Sequence, residues 1–567
     1  MSGARFVAAL LAILAVGLLL RTLYPAADPP WRSTVGVVWH DEGAWTHNAR
    51  NKALFGAWRQ DEWNPVYIAP VFTAFEYLSF KAFGVGVRQA RLVSEVAGLA
   101  SVLLLALGVR RIAGPVAALI AGALIATNYV YVMYDRAALM EALMVAFIVA
   151  SWYCSTRAER QPAWGALAGV CAVLAFFTKA AAAFYLGAIG LMVVARVADR
   201  RPEGRRYLTN WAGRQSAVWT LTAIVASAAL IAAFFVIPHW SDYQFYNWQI
   251  SVTRKPTYDL PSLVMRLTWF PILHDTFSRM WLSLALGLFG AWGIAARWRA
   301  AGDGERLLLL WVTVGALELL VHDVGNERRF VFLIPALIAL ASLVLARGSL
   351  LPEDARRVST ARLAVLAPVI LYTVYVLLGP VTRLPWLEDV YAHELKMPVR
   401  VAAGAAAVLT AILLLSWSRL SSALTRQSWV VRGAVALTAL GVGWNIYQFA
   451  DWASHRTYKN VEASRAVGAV LPPEALVQGK LANGLALENR IRPIFVGHQF
   501  GNYNDRKTRW DVRYILTYTD PELGYEGDQI FEVLDAYPGW RTIMTFDVAE
   551  TPSGHDKAAL IEKRARH

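Results

Sequence analysis

The stretch FVAALLAILAVGLLL (Phe6–Leu20) is apolar throughout, and the stretch VVWHDEGAWTHNARNKALFGAW (Val37–Trp58) follows it closely. The first stretch is typical of a membrane-spanning helix. We find no clear small-residue cleavage site behind it, so we interpret it as an uncleaved first span and not as a signal peptide. The second stretch places two adjacent acids, Asp41 and Glu42, where a helix-forming run begins. This order predicts a membrane helix followed by a polar loop that holds two carboxylates beside the bilayer.

The composition predicts a polytopic membrane protein. Of the 567 residues, 57% are hydrophobic, and the mean hydropathy is +0.39, which is more apolar than a soluble domain can bury. The net charge of +14 could suggest nucleic acid, but membrane proteins collect basic residues in cytoplasmic loops, so we expect no nucleic-acid partner. The two cysteines, Cys154 and Cys171, lie inside apolar segments and predict buried thiols, not a disulfide or a metal site.

The apolar segments give an expected topology, since about 20 apolar residues cross a bilayer. We expect thirteen spans, at roughly 6–23, 89–109, 115–133, 138–155, 163–178, 181–195, 216–237, 281–296, 307–322, 331–346, 363–379, 399–416 and 433–450. One further segment, Val66–Phe83, is interrupted by a proline, a glutamate and a lysine, and could either span or lie in the interface.

Loop charge decides between these two alternatives. If Val66–Phe83 is interfacial, about 21 Lys and Arg fall in about 79 loop residues on one side, against about 17 in about 145 on the other. The richer side is then cytoplasmic, and the Asp41–Glu42 pair faces outward. We therefore expect juxtamembrane helices in the first outer loop.

The composition changes after the last span. From 455 to 567, short apolar runs such as ALVQGK, RPIFVGH, VRYILTY and RTIMTFDVA alternate with helix-like runs such as VEASRAVGAVL and GDQIFEVLDAY. This alternation predicts a small α/β domain, and an odd number of spans places it outside. The expected division is a transmembrane domain at 1–454 and an extracytoplasmic domain at 455–567.

The outward-facing loops contain the candidate acids. Asp41 could simply cap the helix that follows, and Glu42 would be favourable in its first turn. In MYDRAALMEALM, Glu141 lies at the start of the fourth span. Placing an ionisable group in the membrane costs free energy, so a functional role is the default expectation. Pairing with Arg136 or the helix dipole could also account for Glu141.

The same side also contains separate basic residues. Lys179 ends the fifth span, Arg328 and Arg329 open the tenth, and Arg254 lies in a long aromatic-rich loop. Each one alone could be a snorkelling or interface residue. Together, cations from several loops and a carboxylate that can take a proton suit transfer of a group from a lipid-linked phosphate to an acceptor hydroxyl or amine. No Asp-x-Asp metal motif occurs in the chain, so we expect neither a metal nor a cofactor.

Five motifs in this order resemble a known family. HDEGAW, NPVYIAPVFTAFEYLSFKAF, YDRAALMEAL, FFTKA and ERRFVFLIPALIAL are similar to the GT-C glycosyltransferases of the protein O-mannosyltransferase and lipid A aminoarabinose transferase type. The resemblance covers roughly residues 1–350. It implies an α-helical polytopic enzyme that moves a monosaccharide, with inversion, from a polyprenyl-phosphate donor to a glycan, lipid or protein acceptor hydroxyl.

The resemblance also implies roles for residues. Asp41 corresponds to the catalytic base, Glu141 to the acid at the fourth span, and Lys179 to a phosphate contact. The expected catalytic set is Asp41, Glu42 and Glu141, and the expected substrate-binding set is Lys179, Arg254, Arg329, Arg136 and His40. Two departures weaken assignment to the aminoarabinose branch: Trp63-Asn64-Pro65 stands where that branch has Glu-Lys-Pro, and Phe330 stands where tyrosine often follows the late arginine.

Two other classes of function remain as alternatives. In a transporter or lipid flippase the same charged residues would line a translocation path, but such proteins often show internal repeats and polar residues at the midplane, whereas these gather at the outer rim. The second alternative is a non-catalytic glycan-binding or assembly scaffold, derived from an enzyme that has lost its activity. Short loops and Ala/Arg-rich composition predict a multi-pass protein of the bacterial inner membrane with an extracytoplasmic active site, in contact with membrane lipids.

Overall fold

The computed structural model describes residues 2–30, 39–198, 206–253, 259–262, 279–322, 327–347, 427–495, 504–519, 527–548 and 557–564. Most of these residues are helical. The helices of the first part of the chain are α1 Gly3–Thr22, α2 His40–Phe55, α3 Pro70–Phe83, α4 Val87–Thr127, α5 Tyr129–Asp135, α6 Met140–Ala158, α7 Trp164–Thr178, α8 Ala183–Ala198, α9 Arg206–Ile231 and α10 Trp240–Thr253. After them come α11 Trp281–Ala296, α12 Asp303–His322, a 3-10 segment Glu327–Leu333, α13 Ile334–Arg347 and α14 Gln427–Ser454.

Several of the described helices can cross a membrane by length and composition. Four helical segments are long and apolar enough on their own: Gly3–Thr22, Val87–Thr127, Gly213–Val236 and Arg328–Ala346. Helices α5 and α6 meet the same criterion only as a pair, which is bent by 113° at the break between them. Three further apolar helices are shorter: Trp164–Thr178, Ala180–Arg196 and Trp281–Ala295. The predicted α-helical, multi-pass membrane architecture is therefore confirmed. Each predicted span coincides with a helix except those at 363–379 and 399–416, which lie outside the described residues.

Helix α4 is a hairpin of two arms, as the two predicted spans at 89–109 and 115–133 require. Gly114 has φ 86° and Pro115 follows it, so the helical path breaks there. A Cβ atom built on Gly122 would lie 3.5 Å from the Cβ of Ala106. Residues this far apart in sequence would be about 24 Å apart along one straight helix, so the second arm folds back on the first.

Helix α3 is neither among the described helices that can cross a membrane by length and composition nor among the shorter apolar ones. Its 14 residues reach about 21 Å, less than the roughly 30 Å of bilayer hydrocarbon. It packs against α2 and the first arm of α4, and Phe72 and Phe80 are buried there. Together, α2 and α3 form a pair of short helices in the loop after α1, which supports the interfacial interpretation of Val66–Phe83.

A mixed sheet follows α14. Its elements are α15 Lys459–Val470, β1 Leu476–Gln478, α16 Lys480–Gly484, β2 Arg492–Ile494, β3 Tyr514–Tyr518, α17 Gly527–Asp535, β4 Arg541–Asp547 and β5 Lys557–Glu562. The strand order is β2-β1-β3-β5-β4; β1 is parallel to β2 and β3, whereas β5 is antiparallel to β3 and β4. The four strands predicted from sequence are present, and β5 is an additional strand that the sequence analysis missed.

Buried charge pairs connect the helices at one end of the bundle. Arg21 at the end of α1 and Asp135 at the end of α5 form a fully buried pair, with Arg21 Nη2 donating to Asp135 Oδ2 at 2.6 Å. Arg136 donates to the carbonyl oxygens of Leu20, Arg21 and Tyr24 at 2.8–2.9 Å. The Leu20 and Arg21 carbonyls are among those that a helix C-terminus leaves without partners, so Arg136 completes the end of α1.

Candidate active site

Four charged side chains from separate parts of the chain meet where α6 begins; we call them the ionic network. Asp41 lies in the first turn of α2 and Glu141 in the first turn of α6. Lys179 directly follows α7, and Arg328 lies in the 3-10 segment before α13. The first turn of a helix favours a negative charge, which suits both acids at their positions.

Arg328 connects the two acids of the ionic network. Its Nη1 donates to Asp41 Oδ2 at 2.6 Å, and its Nε lies 3.0 Å from Glu141 Oε1. Lys179 Nζ donates to the same Glu141 oxygen. Two cations therefore share the Glu141 carboxylate, and one of them also holds Asp41.

The ionic network runs from the protein interior to an accessible surface. The Glu141 and Arg328 side chains are 1% and 5% exposed, whereas those of Lys179 and Asp41 are 17% and 22% exposed. The buried pair is fixed by its mutual attraction, since separating it would leave a charge without compensation. The two outer members are the ones that an entering substrate meets first.

The arrangement can bind an anion and accept a proton at neighbouring places. Asp41 is a partly exposed carboxylate whose second oxygen, Oδ1, lies 3.8 Å from His40 Nε2. Lys179 and Arg328 supply positive charge beside it, and Glu141 holds both of them in place. A carboxylate next to fixed cations is the arrangement that a general base and a departing phosphate need.

Glu42 is directed away from the ionic network. Both of its carboxylate oxygens accept from Arg91, at 2.8 and 2.7 Å, and Oε1 also accepts from the Ala138 amide at 2.8 Å. The pair is buried, and Arg91 donates in addition to the Pro25 and Ala27 carbonyls. Glu42 thus joins α2 to α4 and to the link between α5 and α6.

The structure does not bring all predicted site residues together. His40 is buried beside Asp41, and Arg329 is half-buried in the same 3-10 segment as Arg328. Arg136 serves the end of α1, and its guanidinium lies 4.6 Å from the Trp452 ring centroid. Arg254 lies outside the described residues.

Sequence reasoning placed the late cation on Arg329, whereas the side chain that contacts Asp41 and Glu141 belongs to Arg328. Two adjacent arginines on a 3-10 turn point in different directions, and their order in sequence gives no sign of which one faces inward. Arg91, the partner of Glu42, was also missed. Among the described residues, no three His, Cys, Asp or Glu side chains come together as a metal-binding group.

Comparisons with known proteins agree with this fold. Residues 67–209 match the family model of the dolichyl-phosphate-mannose-protein mannosyltransferases. The chain is similar to the structure of ArnT from Cupriavidus metallidurans in the apo state, with a TM-score of 0.58, 15% identity, and coverage of 99% of this chain and 98% of that one. The same protein bound to undecaprenyl phosphate matches with a TM-score of 0.51 and 16% identity, covering 98% and 97%. A search of curated proteins returns no match.

The predicted resemblance to the GT-C glycosyltransferases of the protein mannosyltransferase and ArnT type is confirmed, because residues 67–209 match the mannosyltransferase family model and ArnT has a similar fold. The family match covers α3 to α8 and includes two members of the ionic network, Glu141 and Lys179. The match to ArnT extends over nearly the whole chain and shows the fold. These findings do not favour the transporter or flippase alternative.

Glu42 and Asp41 are adjacent, yet their contacts predict different consequences of losing each charge. In Glu42→Gln, Arg91 keeps its charge in a buried position but loses its anionic partner, which costs about 3–5 kcal/mol. We expect a markedly lower apparent Tm of the purified protein in detergent. Glu462→Gln is the matched control, because Glu462 is exposed in the first turn of α15. An unchanged Tm in Glu42→Gln would contradict a structural role for this acid.

Proposed function

We propose that the chain transfers a monosaccharide, with inversion, from a polyprenyl-phosphate carrier to an acceptor hydroxyl. The observation that carries this proposal is the partly exposed Asp41 carboxylate beside the Lys179 and Arg328 cations, in a chain with the ArnT fold. The similar protein of Cupriavidus metallidurans has a structure bound to undecaprenyl phosphate, which supports a donor of this carrier class. The acceptor is a hydroxyl of a glycan, lipid or protein.

The reaction is a single displacement at the anomeric carbon. The Asp41 carboxylate takes the proton of the acceptor hydroxyl, and the acceptor oxygen forms a bond to the anomeric carbon. The bond between that carbon and the phosphate oxygen breaks, and its electron pair leaves with the polyprenyl phosphate. Attack opposite the leaving group inverts the anomeric configuration.

Positive charge stabilises the departing phosphate, whose negative charge grows as the bond breaks. Lys179 and Arg328 supply this charge, and the family resemblance adds Arg329 and Arg254 as further candidates. Glu141 is a positioning residue, since it holds Lys179 and Arg328 at one carboxylate oxygen. His40 lies against the other side of the base and helps to orient Asp41.

The ionic network also gives Arg328 a second role in this mechanism. Without donor, Arg328 is bound to Asp41 at 2.6 Å, and a carboxylate in such a pair is a weaker base than a free one. The donor phosphate competes with Asp41 for the same guanidinium. Donor binding therefore releases Asp41 for the acceptor, so that the base is activated when the sugar is in place.

The proposed topology follows from the distribution of charge. Thirteen spans, with a cytoplasmic amino terminus, put the basic loops inside and place Asp41, Lys179 and the domain from 455 to 567 outside. A lipid-linked donor can reach such a site from within the outer leaflet. We assign the protein to the bacterial inner membrane, with an extracytoplasmic active site.

Loss of the base should stop turnover without unfolding the protein. In Asp41→Asn, the release of polyprenyl phosphate in membrane extracts should fall by about 10²–10⁴-fold, because an amide cannot accept the proton. The apparent Tm and the binding of undecaprenyl phosphate should be retained. Asp451→Asn is the control, because Asp451 is an exposed aspartate at the end of α14. Turnover at the wild-type rate in Asp41→Asn would refute the assignment of the base.

Loss of a phosphate contact should weaken donor binding. In Lys179→Ala, the affinity for undecaprenyl phosphate should fall roughly ten- to hundredfold, as expected when one charge-assisted hydrogen bond is removed. Lys52→Ala is the matched control, because Lys52 is a lysine of α2 whose side chain donates to the Gly56 carbonyl and lies over the Trp58 ring. Native mass spectrometry of the purified proteins measures both affinities. Equal affinity in Lys179→Ala and wild type would mean that Lys179 only places its charge at the membrane surface.

A further inference from the structure

Trp39, two residues before the proposed base, belongs to the hydrophobic core of the C-terminal domain. It is 3% exposed and packs in one cluster with residues of α15, α16 and the sheet. The cluster includes Val467, Leu471, Val477, Leu481, Leu485, Leu516 and Leu560. The chain therefore enters α2 directly from the interior of the C-terminal domain.

The first turn of α2 touches the backbone of α16. A Cβ atom on Gly43 would lie only 1.9 Å from the carbonyl oxygen of Asn483, and one on Gly484 would lie 2.8 Å from the Cβ of His40. Side chains cannot be accommodated at these distances, so glycine at both positions allows the two backbones to meet. The contact is formed on either side of Asp41 in sequence, at His40 and Gly43.

Arg50, further along α2, fastens the same helix to the C-terminal domain. Its Nε donates to the Ala486 carbonyl at 3.0 Å, and its Nη2 donates to the carbonyls of Asn489 and Ile491 at 3.0 and 2.9 Å. Arg50 is 1% exposed, and burial, together with the nearby Arg490, lowers its pKa to about 9. The guanidinium remains charged at neutral pH and is held by carbonyl oxygens.

Two more contacts join the same parts of the molecule. The Asp61 carboxylate accepts from the Phe495 amide at 2.7 Å and bonds to His47 of α2 at 2.8 Å. Glu488 accepts from the Val87 amide at 3.0 Å, at the N-terminus of α4. The C-terminal domain is thus attached to α2 at its beginning, its middle and the loop behind it.

We propose that the C-terminal domain is part of the catalytic unit and that Arg50 is a positioning residue, which holds the first turn of α2 so that Asp41 faces the ionic network. What Asp41 does there rests on the proposed function; how it is held does not. The alternative, an appended domain on a flexible connection, would not share its hydrophobic core with the residue two positions before the base. Motion of this domain moves Asp41 relative to Arg328 and Lys179, which are fixed in the membrane bundle.

The direct test measures backbone motion in the absence of substrate. In Arg50→Met, three carbonyls of the C-terminal domain lose their donor, so amide hydrogen exchange across residues 39–47 should become at least tenfold faster. Arg541→Met is the control, because Arg541 is an exposed arginine of the same domain that pairs with Glu562 and does not contact α2. Wild-type exchange across 39–47 in folded Arg50→Met protein would overturn the proposal.

The catalytic consequence is measured separately. Arg50→Met should lower the turnover rate at least tenfold while the affinity for undecaprenyl phosphate stays at the wild-type value, because the cations that bind it are in the membrane bundle. Arg50→Lys, which keeps a charged donor group, should recover part of the turnover rate that Arg50→Met loses. A loss of affinity equal to the loss of rate would show general disruption of the site and would contradict a positioning role.

A second variant keeps the test decisive if Arg50→Met does not fold. Gly43→Ala forces α2 away from Asn483 and should give the same combination of faster exchange across 39–47, lower turnover and unchanged affinity. Gly190→Ala is its control, because a Cβ there meets nothing within 4 Å. Wild-type exchange and turnover in Gly43→Ala would overturn the proposal. If wild-type protein fails to bind undecaprenyl phosphate, the proposed function fails, while the exchange result still decides how Asp41 is held.

Discussion

The pairing of buried charges at one end of the membrane bundle is the constraint on which the rest of the structure depends. A charge in this environment is costly unless an opposite charge compensates it. Arg21 pairs with Asp135, Arg91 with Glu42, and Arg328 with Glu141. Each pair joins elements that are far apart in sequence, so together they fix how α1, α2, α4, α5, α6 and the segment before α13 meet.

The two adjacent acids of the first polar loop show how this constraint produces a site. Successive residues on a helix point about 100° apart. Glu42 therefore faces the bundle and pairs with Arg91, whereas Asp41 faces the accessible end of the ionic network. Glu42 anchors the turn, and Asp41 is thereby held against the cations. On the other side, Trp39 packs among the elements that follow α14, and Arg50 of α2 donates to the Ala486 carbonyl.

Much of this architecture could be predicted from sequence because it depends on local patterns. Apolar segments of membrane length predicted the helices, including the two arms of α4, and alternating short runs predicted four strands of the sheet. The sequence also drew attention to Asp41, Glu141 and Lys179, which the structure brings into one network. The partners of these residues could not be predicted, because Arg328 is 287 residues from Asp41 and its adjacent residue, Arg329, has the same charge. The burial of Trp39 in a domain more than 400 residues away has no local signal either.

Asp41 is proposed to deprotonate the acceptor for transfer from a polyprenyl-phosphate sugar, and the most direct test is mass spectrometry of the lipids that co-purify with wild-type and Asp41→Asn protein. A variant that binds the donor but cannot complete the transfer should retain it. We expect a polyprenyl-phosphate monosaccharide to be enriched on Asp41→Asn protein relative to wild type, and its mass would identify the class of sugar. Folded Asp41→Asn protein that retains other membrane lipids but no polyprenyl-phosphate sugar would contradict it.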